Sequence, residues 1–207
     1  MPGFSACLID VYETALSVDL DTHMVSLARR TGVSPDVFAE AVKPQANAVS
    51  SGQATIQSVL EEALRGWGRD PAEARALAEA DREILRGLAE VPSDTVPFLE
   101  HLRERGVRTA FVSNCADNTR PLLEALRLRS MVDELVLSCE VRAAKPNPAI
   151  FQTALDRLGV IASETVFVDD QSDFCAAASA LGMRAVMIDR SNGGGDIAAL
   201  DELLTLF

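Results

Sequence analysis

Five short aliphatic runs, separated by longer stretches with helical periodicity, constrain the fold of this chain more than any other feature. The runs are Ala6–Ile9, Thr109–Val112, Leu135–Leu137, Thr165–Val168 and Ala185–Ile188. Short aliphatic segments flanked by helices are typical of parallel strands that are covered on both faces. The helices of this alternation are predicted at Pro97–Arg105, Asn118–Leu128, Pro148–Leu158, Phe174–Leu181 and Ile197–Leu204. The alternation predicts an α/β fold built on a doubly wound parallel sheet.

One interval breaks the alternation. From about Ser17 to Val91 the pattern indicates four helical stretches and no strand. A crossover between parallel strands normally uses one helix, so four helices favour an insertion over ordinary crossovers. We therefore expect a Rossmann-like core of residues 1–16 and 92–207 with an inserted all-helical cap of residues 17–91, placed where it would cover the carboxyl ends of the strands.

The charge balance limits the partners of the chain. Nineteen basic residues stand against thirty-one acidic ones, a formal net charge of -12 over 207 residues. There is no excess of Lys or Arg to neutralise phosphates, so we expect neither a nucleic acid nor an anionic membrane surface as a partner. A small anionic substrate would need a locally positive site.

Cysteine usage and the N-terminus indicate the compartment. The four cysteines contain no C-x-x-C pair, so we expect free thiols rather than a zinc site or a disulfide framework. The first residues show no signal-peptide pattern, and no apolar run approaches the ~20 residues of a membrane span. These features predict a cytoplasmic protein. The sequence carries no signal for the oligomeric state, and a monomer and a homodimer both stay open.

Polar residues follow four of the predicted strands. The carboxyl ends of parallel strands meet at one edge of the sheet, where open α/β sheets bind ligands. Taken singly, each such residue is more often a turn or capping residue. Taken in order after four strands, they predict a shared site of Asp10, Ser113, Asn114, Lys145, Asp169 and Asp170.

The three aspartates of this group carry the sharpest chemical signal. Three carboxylates within a few ångströms repel one another and need a cation to stay ionised. Oxygen ligands favour Mg²⁺, which also binds phosphate oxygens. Lys145 would add a positive charge against Asp10 and an anionic substrate.

These residues resemble the motifs of the haloacid dehalogenase (HAD) superfamily. The resemblance rests on Asp10 and Thr14, then Ser113, then "KPNPAIFQTALDRLG" with Lys145, then "VFVDDQSDFCAAASALGM", and it covers essentially the whole chain, including the helical cap. It implies that Asp10 is a covalent nucleophile. It also implies that Thr14 and Ser113 bind the transferred group, helped by the backbone of Tyr12, Glu13 and Asn114.

The same resemblance implies the remaining roles. Lys145 would orient Asp10, and Mg²⁺ would be held by Asp10, the backbone carbonyl of Tyr12 and Asp170, with Asp169 beside the ion or sharing the role. This site would act on a small-molecule anionic substrate.

The first motif departs from the family pattern. Phosphatases of the family read D-x-D-G-T, whereas this chain has Asp10-Val11-Tyr12-Glu13-Thr14. The second aspartate is the general acid and base of those enzymes, and a tyrosine with a reference pKa near ~10 is a poor base at neutral pH. Glu13 stands where glycine is usual, and we expect it to crowd the turn.

A D-x-Y motif resembles the L-2-haloacid dehalogenases. Their halide leaves without a proton, which suits a tyrosine at this place, but they work without metal and lack the paired aspartates of this chain. They hold the substrate carboxylate with an arginine of the cap. Arg29, Arg30 and Lys43 are the candidates here, although each fits a solvated helix face equally well.

Three functions therefore stay open. The favoured one is Mg²⁺-dependent hydrolysis of a small phosphorylated metabolite through an aspartyl-phosphate, with Asp10, Tyr12 and Lys145 as catalytic residues. The second is a metal-independent 2-haloacid dehalogenase with an aspartyl-ester intermediate. The third is a HAD fold that has lost the phosphatase acid/base and serves in binding or specialised chemistry. His23 and His101 lack a partner pattern, so we expect them at the surface.

Overall fold

The computed structural model of the chain describes residues 3–191 and 193–207. A five-stranded sheet lies at its centre, and every pair of neighbouring strands in it is parallel. The sheet contains β1 (Ala6–Ile9), β4 (Arg108–Ser113), β5 (Glu134–Leu137), β6 (Thr165–Asp169) and β7 (Arg184–Met187), and β2 (Ser17–Val18) and β3 (Ala89–Glu90) form a separate ribbon. The strand order is β5-β4-β1-β6-β7. The predicted α/β fold is confirmed, and each predicted strand lies within one residue of an observed one.

Helices cover both faces of the sheet. The core helices are α6 (Thr95–Glu104), α7 (Thr119–Ala125), α8 (Ser138–Val141), α9 (Pro148–Leu158) and α10 (Ser172–Ala180). Side chains alternate between the faces of a strand. Cys7 and Ile9 of β1 therefore pack with α6 and α7, whereas Leu8 packs with α9 and α10.

Two predicted helices differ from the structure. The helix expected at Ile197–Leu204 is a 3-10 helix at Leu200–Leu206. The helix expected to reach Leu128 ends at Ala125, because the chain turns there and Arg127 adopts a positive φ of 61°.

A second group of helices lies between β1 and α6. It consists of α1 (Leu20–Thr31), α2 (Pro35–Val42), α3 (Ala46–Ser50), α4 (Ile56–Gly66) and α5 (Ala74–Leu88). These helices have their own buried apolar cluster, which includes Leu27, Phe38, Leu60, Leu64 and Leu77. We call residues 17–91 the cap; the division of the chain at these residues stays a prediction.

The expectation that the interval 17–91 contains no strand is wrong. Ser17 pairs with Glu90 and Val18 with Ala89 in an antiparallel ribbon. The ribbon forms because the chain leaves the sheet and returns to it along adjacent paths, and two extended segments side by side satisfy each other's backbone groups.

The register of the sheet determines which side chains meet at its carboxyl edge. Ile9 lies opposite both Phe111 and Val168, so Asp10 follows β1 between the ends of β4 and β6. Within the part of the chain that the structure describes, no helix is long and apolar enough to span a bilayer.

Candidate active site

Asp10, at the carboxyl end of β1, lies at the centre of the site. Its amide donates a hydrogen bond to the carbonyl oxygen of Val168 at 2.9 Å, which continues the strand pairing by one residue. The Nζ of Lys145 donates to Asp10 Oδ1 at 2.6 Å and to Asp169 Oδ2 at 2.5 Å. Asp10, Lys145 and Asp169 are only 5%, 4% and 0% exposed. One ammonium group is therefore shared by two carboxylates away from bulk water.

Burial and charge act against each other in this group. Burial raises the pKa of Asp10, and the charge of Lys145 offsets this only in part. Burial likewise raises the pKa of Asp169. Burial alone would lower the pKa of Lys145, but the two carboxylates raise it above its usual value. Lys145 therefore stays protonated at neutral pH and supplies a fixed positive charge.

The third carboxylate, Asp170, lies beside this pair without a cation of its own. One carboxylate oxygen from each of Asp10, Asp169 and Asp170 lies within 4.8 Å of the others. Asp169 is satisfied by Lys145 and by the amide of Gln171, which donates to Oδ1 at 2.9 Å. Oδ1 of Asp170 is buried and has no hydrogen-bond partner among the described residues.

This arrangement fits a divalent cation. Burial and then the charge of Asp10 raise the pKa of Asp170, as expected for a carboxylate that lacks a positive partner. An unpaired buried carboxylate oxygen is costly. Oxygen donors of this kind are the ligands that Mg²⁺ prefers. Asp10 and Asp170 therefore fit such an ion, whereas both oxygens of Asp169 already accept hydrogen bonds, from Lys145 and from the amide of Gln171.

Two hydroxyl groups point to an anion at the same edge. Thr14 is fully buried and Ser113 is 1% exposed. Neither Thr14 Oγ1 nor Ser113 Oγ has a hydrogen-bond partner among the described residues. Buried hydroxyls are normally paired, so a bound anion that accepts from both would satisfy them.

Asn114 holds the segment that carries Lys145. Its Nδ2 donates to the carbonyl oxygen of Lys145 at 2.8 Å, and its Oδ1 accepts from the amide of Lys145 at 2.7 Å. The side chain of Asn114 is thus engaged with backbone, and only its own backbone is left for the expected role in substrate binding. Asn114 positions the lysine that joins Asp10 to Asp169.

Tyr12 lies two residues beyond Asp10, but its hydroxyl has a partner elsewhere. The Oη of Tyr12 and the Oγ1 of Thr119 are hydrogen bonded at 2.9 Å. Burial raises the pKa of Tyr12 above its usual value. The hydroxyl therefore stays protonated at neutral pH and cannot act as a general base.

Glu13 does not crowd the turn, contrary to expectation. It adopts a positive φ of 57°, in the region that glycine favours. Its side chain is exposed, and Oε1 accepts a hydrogen bond from the amide of Val18 at 3.3 Å. The turn keeps the backbone shape of a glycine turn because the Glu13 side chain is directed outward.

Arg190, just after β7, is a contact that the sequence reasoning missed. Its Nε donates to the carbonyl oxygen of Thr14 at 2.9 Å, and its two terminal nitrogens donate to the carboxylate of Asp94 at 3.0 Å each. The guanidinium group ties the turn after Asp10 to the start of α6. No local pattern signals this contact, because Thr14 lies 176 residues away from Arg190 along the chain.

His23 is not a surface residue, which corrects a second expectation. Its side chain is 12% exposed, and Nε2 lies 2.9 Å from Oδ1 of the buried Asp81. The other oxygen of Asp81 accepts from Nδ2 of Asn118 at 2.8 Å, which joins the cap to the core. His101 is half-buried on α6. No periodicity signals the His23 contact, because Asp81 lies 58 residues away along the chain.

The cap cations considered as carboxylate anchors lie at the surface. Arg29, Arg30 and Lys43 are all exposed. Arg29 and Arg30 occupy the last turn of α1, and Lys43 follows α2. The solvated-face interpretation therefore fits these three residues.

Comparison with known proteins identifies a family and two kinds of relatives for this chain. A family model described as haloacid dehalogenase-like hydrolase matches residues 4–182. The chain is 36% identical to the phosphoserine phosphatase of Thermus thermophilus over 137 residues, which cover 65% of this chain and 54% of that protein. It is also 36% identical to (S)-2-haloacid dehalogenase 1 of a Pseudomonas species over 102 residues, which cover 48% and 44%.

These alignments are partial, whereas the structural likeness is not. The chain spans about half the length of the curated relatives it matches. A haloacid dehalogenase family enzyme of Bacteroides thetaiotaomicron, solved with magnesium and inorganic phosphate, superposes with a TM-score of 0.72 at 18% identity. That match covers 93% of this chain and 98% of the other, and it shows a shared fold. The relatives thus include both phosphatases and dehalogenases.

Proposed function

The chain belongs to the haloacid dehalogenase-like hydrolases, and from that premise we propose that it hydrolyses a small phosphorylated metabolite with Mg²⁺ and Asp10 as the nucleophile. The observation that carries the proposal is the buried, unpaired Oδ1 of Asp170 beside Asp10. Lys145 donates hydrogen bonds to Asp10 and Asp169, and among the described residues no ion pair with Asp170 is formed. In a dehalogenase that works without metal, the charge of this partly buried carboxylate would stay unneutralised.

The chain's own residues supply most of the chemistry. A carboxylate oxygen of Asp10 attacks phosphorus, the ester oxygen leaves, and an aspartyl-phosphate forms. Thr14 and Ser113 donate hydrogen bonds to the phosphoryl oxygens through their unpaired hydroxyls. Lys145 keeps Asp10 ionised and oriented. Asp10, Asp170 and the carbonyl oxygen of Tyr12 would hold Mg²⁺, which when bound neutralises charge on the phosphoryl oxygens. Water then attacks the phosphorus, the bond between phosphorus and the Asp10 oxygen breaks, and the proton that the water loses leaves with the released phosphate.

Proton transfer determines which phosphates the site can use. Tyr12 stands in the place of the family's acid and base, and its hydroxyl is bound to Thr119. Loss of general acid–base help costs ~10²–10⁴ in rate when the leaving group needs a proton. Leaving groups of low pKa need none. We therefore expect acyl and aryl phosphates to be better substrates than alkyl phosphates.

A second function is favoured by the same tyrosine. A halide leaves without a proton, and one relative of the chain is named as a 2-haloacid dehalogenase. In that reaction Asp10 would attack carbon, and Asp170 would activate water against the aspartyl ester. Arg29, Arg30 and Lys43 are exposed, so none of these three candidates is a buried anchor for the substrate carboxylate, which speaks against this alternative.

A paired assay separates these functions from a site that only binds. Phosphate release from acetyl phosphate, p-nitrophenyl phosphate and alkyl phosphates is measured with Mg²⁺ and with a chelator, beside halide release from 2-chloropropionate. We expect Mg²⁺-dependent phosphate release that Asp10→Asn abolishes. Asp173→Asn, the same change at an exposed acid of α10, should leave the rate unchanged. Halide release that resists the chelator would refute the proposal, and neither product would favour a binding function.

A further inference from the structure

Two cysteines that are distant in sequence lie together beside the site. β4 and β5 pair with a constant offset of 24 residues, as Ser113 opposite Leu137 illustrates. Cys115 and Cys139 follow these two partners by two residues each, with Cys139 already in α8. The segments stay in contact there, because the amide of Cys115 donates to Ser138 Oγ at 2.9 Å and that hydroxyl also lies 3.4 Å from the carbonyl oxygen of Cys115.

The contact between the two segments suits a disulfide. They leave the sheet from paired positions, where strands are about 4.8 Å apart, and disulfides join Cα atoms about 4.4–6.8 Å apart. Cys115 is buried, whereas Cys139 at the start of α8 is partly exposed and can be reached from solvent. Neither residue has a role in the proposed hydrolysis.

The two thiols already interact and differ in reactivity. A hydrogen bond from Cys115 lowers the pKa of the Cys139 thiol. The same contact, followed by burial, raises the pKa of Cys115. Because the thiolate is the reactive form, Cys139 is the thiol that attacks first and Cys115 is the one that follows. The remaining cysteines are poor competitors, since burial raises the pKa of Cys7 and raises that of Cys175 to about 12.

We propose that Cys115 and Cys139 are an oxidation site, forming a reversible disulfide with a hydroperoxide as the oxidant. The Cys139 thiolate attacks one peroxide oxygen, the O–O bond breaks, and a sulfenic acid forms with release of water or an alcohol. The sulfur of Cys115 then attacks the sulfur of Cys139 and displaces water, as its own proton is lost. Two thiols are oxidised by two electrons in all, and one peroxide is reduced.

The Cys115–Cys139 disulfide would change the geometry of the active site. Cys115 follows Asn114, which holds the backbone of Lys145, and lies two residues from Ser113. A Cβ added at Gly52 of the cap would lie 2.0 Å from the carbonyl oxygen of Cys139, so the cap leaves that side no room. The adjustment that brings the sulfurs to about 2.05 Å therefore falls on the Cys115 side. This consequence rests on the proposed activity of the Asp10 site, whereas the disulfide itself does not.

Mass spectrometry of the full chain tests the disulfide directly. The protein is treated with hydrogen peroxide, free thiols are alkylated under denaturing conditions, and the digest is mapped. We expect the peptides of Cys115 and Cys139 to be joined, and those of Cys7 and Cys175 to be alkylated. Cys139→Ser should prevent the cross-link, whereas Cys175→Ser should not. A second variant, Cys139→Ala, covers the case that the serine disturbs the fold.

Activity with and without oxidation tests the consequence. We expect the rate to fall about tenfold and to return with dithiothreitol, since small misplacements at a reacting centre cost up to ~10²-fold. Cys139→Ser should keep its rate through the same treatment. Overoxidation of Cys139 without a cross-link, or a cross-link to another cysteine, would overturn the site. A cross-linked protein of unchanged activity would overturn the link to the active site, and a protein that is inactive before oxidation counts only against the proposed function.

Discussion

Replacing Lys145 by methionine tests whether one ammonium group holds two buried carboxylates together. Methionine has a similar length and no charge, so the change removes the hydrogen bonds of 2.6 Å to Asp10 and 2.5 Å to Asp169. Both acids are almost fully buried, and leaving buried charges unpaired costs about 3–5 kcal/mol. Domains are stable by about 5–15 kcal/mol. The variant should therefore fold, with a free energy of unfolding lowered by about 4 kcal/mol at pH 8.

The loss of unfolding free energy in Lys145→Met should become smaller as the pH falls. Burial raises the pKa of Asp10 and of Asp169 even with Lys145 present, and the pKa rises further without it. A carboxyl group whose pKa is higher in the folded state binds its proton more readily there than in the unfolded chain. Protonation therefore stabilises the folded variant as the pH falls from the raised pKa of the buried carboxyl group to its value of about 4 in the unfolded chain.

Urea unfolding followed by circular dichroism, in chelator and at several pH values, measures both effects. Lys43→Met is the matched control at the other lysine of the chain, which is exposed, and should change the free energy by less than about 0.5 kcal/mol. Lys145→Met combined with Asp169→Asn should recover part of the loss. A loss under about 1 kcal/mol at pH 8, or one that does not vary with pH, would refute the reasoning.

Three further predictions concern single residues. Asn114→Ala frees the backbone of Lys145, so kcat should fall at least ~10-fold with little change in KM; an unchanged kcat in steady-state assays would contradict this. Tyr12→Asp should raise alkyl phosphate hydrolysis by ~10²-fold or more while aryl phosphate hydrolysis changes little; equal changes for both would argue against a missing proton donor. Burial alone would raise the pKa of Asp94, but the Arg190 contacts hold it below its usual value, so Asp94→Asn should lower Tm more at pH 7 than at pH ~3; an equal loss at both pH values in thermal melts would count against this prediction.

The sheet could be predicted from the sequence because the features that indicate a strand, a short aliphatic run and a polar residue at its end, lie within a few residues of one another. Each aliphatic run is bounded by a polar residue where the strand ends, and parallel strands bring their ends to one edge. This reasoning was enough to gather Asp10, Lys145, Asp169 and Asp170, which the structure places together. Their catalytic roles stay proposals.

Contacts that depend on register or on long loops could not be predicted. The thiols of Cys115 and Cys139 meet because β4 and β5 pair with an offset of 24 residues, and no local pattern specifies that offset. Arg190 reaches Thr14 from 176 residues away along the chain. The ribbon of β2 and β3 is two residues long on each side, too short to leave a periodic signal.

The central claim, that Asp10 forms an aspartyl-phosphate, is tested most directly by locating the oxygen atom that water contributes to the products. An aspartyl-phosphate is opened by attack on phosphorus, so turnover of acetyl phosphate with Mg²⁺ in oxygen-18 water should label the released phosphate and leave Asp10 unlabelled. An aspartyl ester is opened by attack on the carboxyl carbon, which places the label in Asp10. Mass spectrometry of the phosphate and of the peptide that contains Asp10 reads both outcomes. Labelled phosphate with unlabelled Asp10 is the predicted result, and oxygen-18 in Asp10 after turnover of 2-chloropropionate would contradict it.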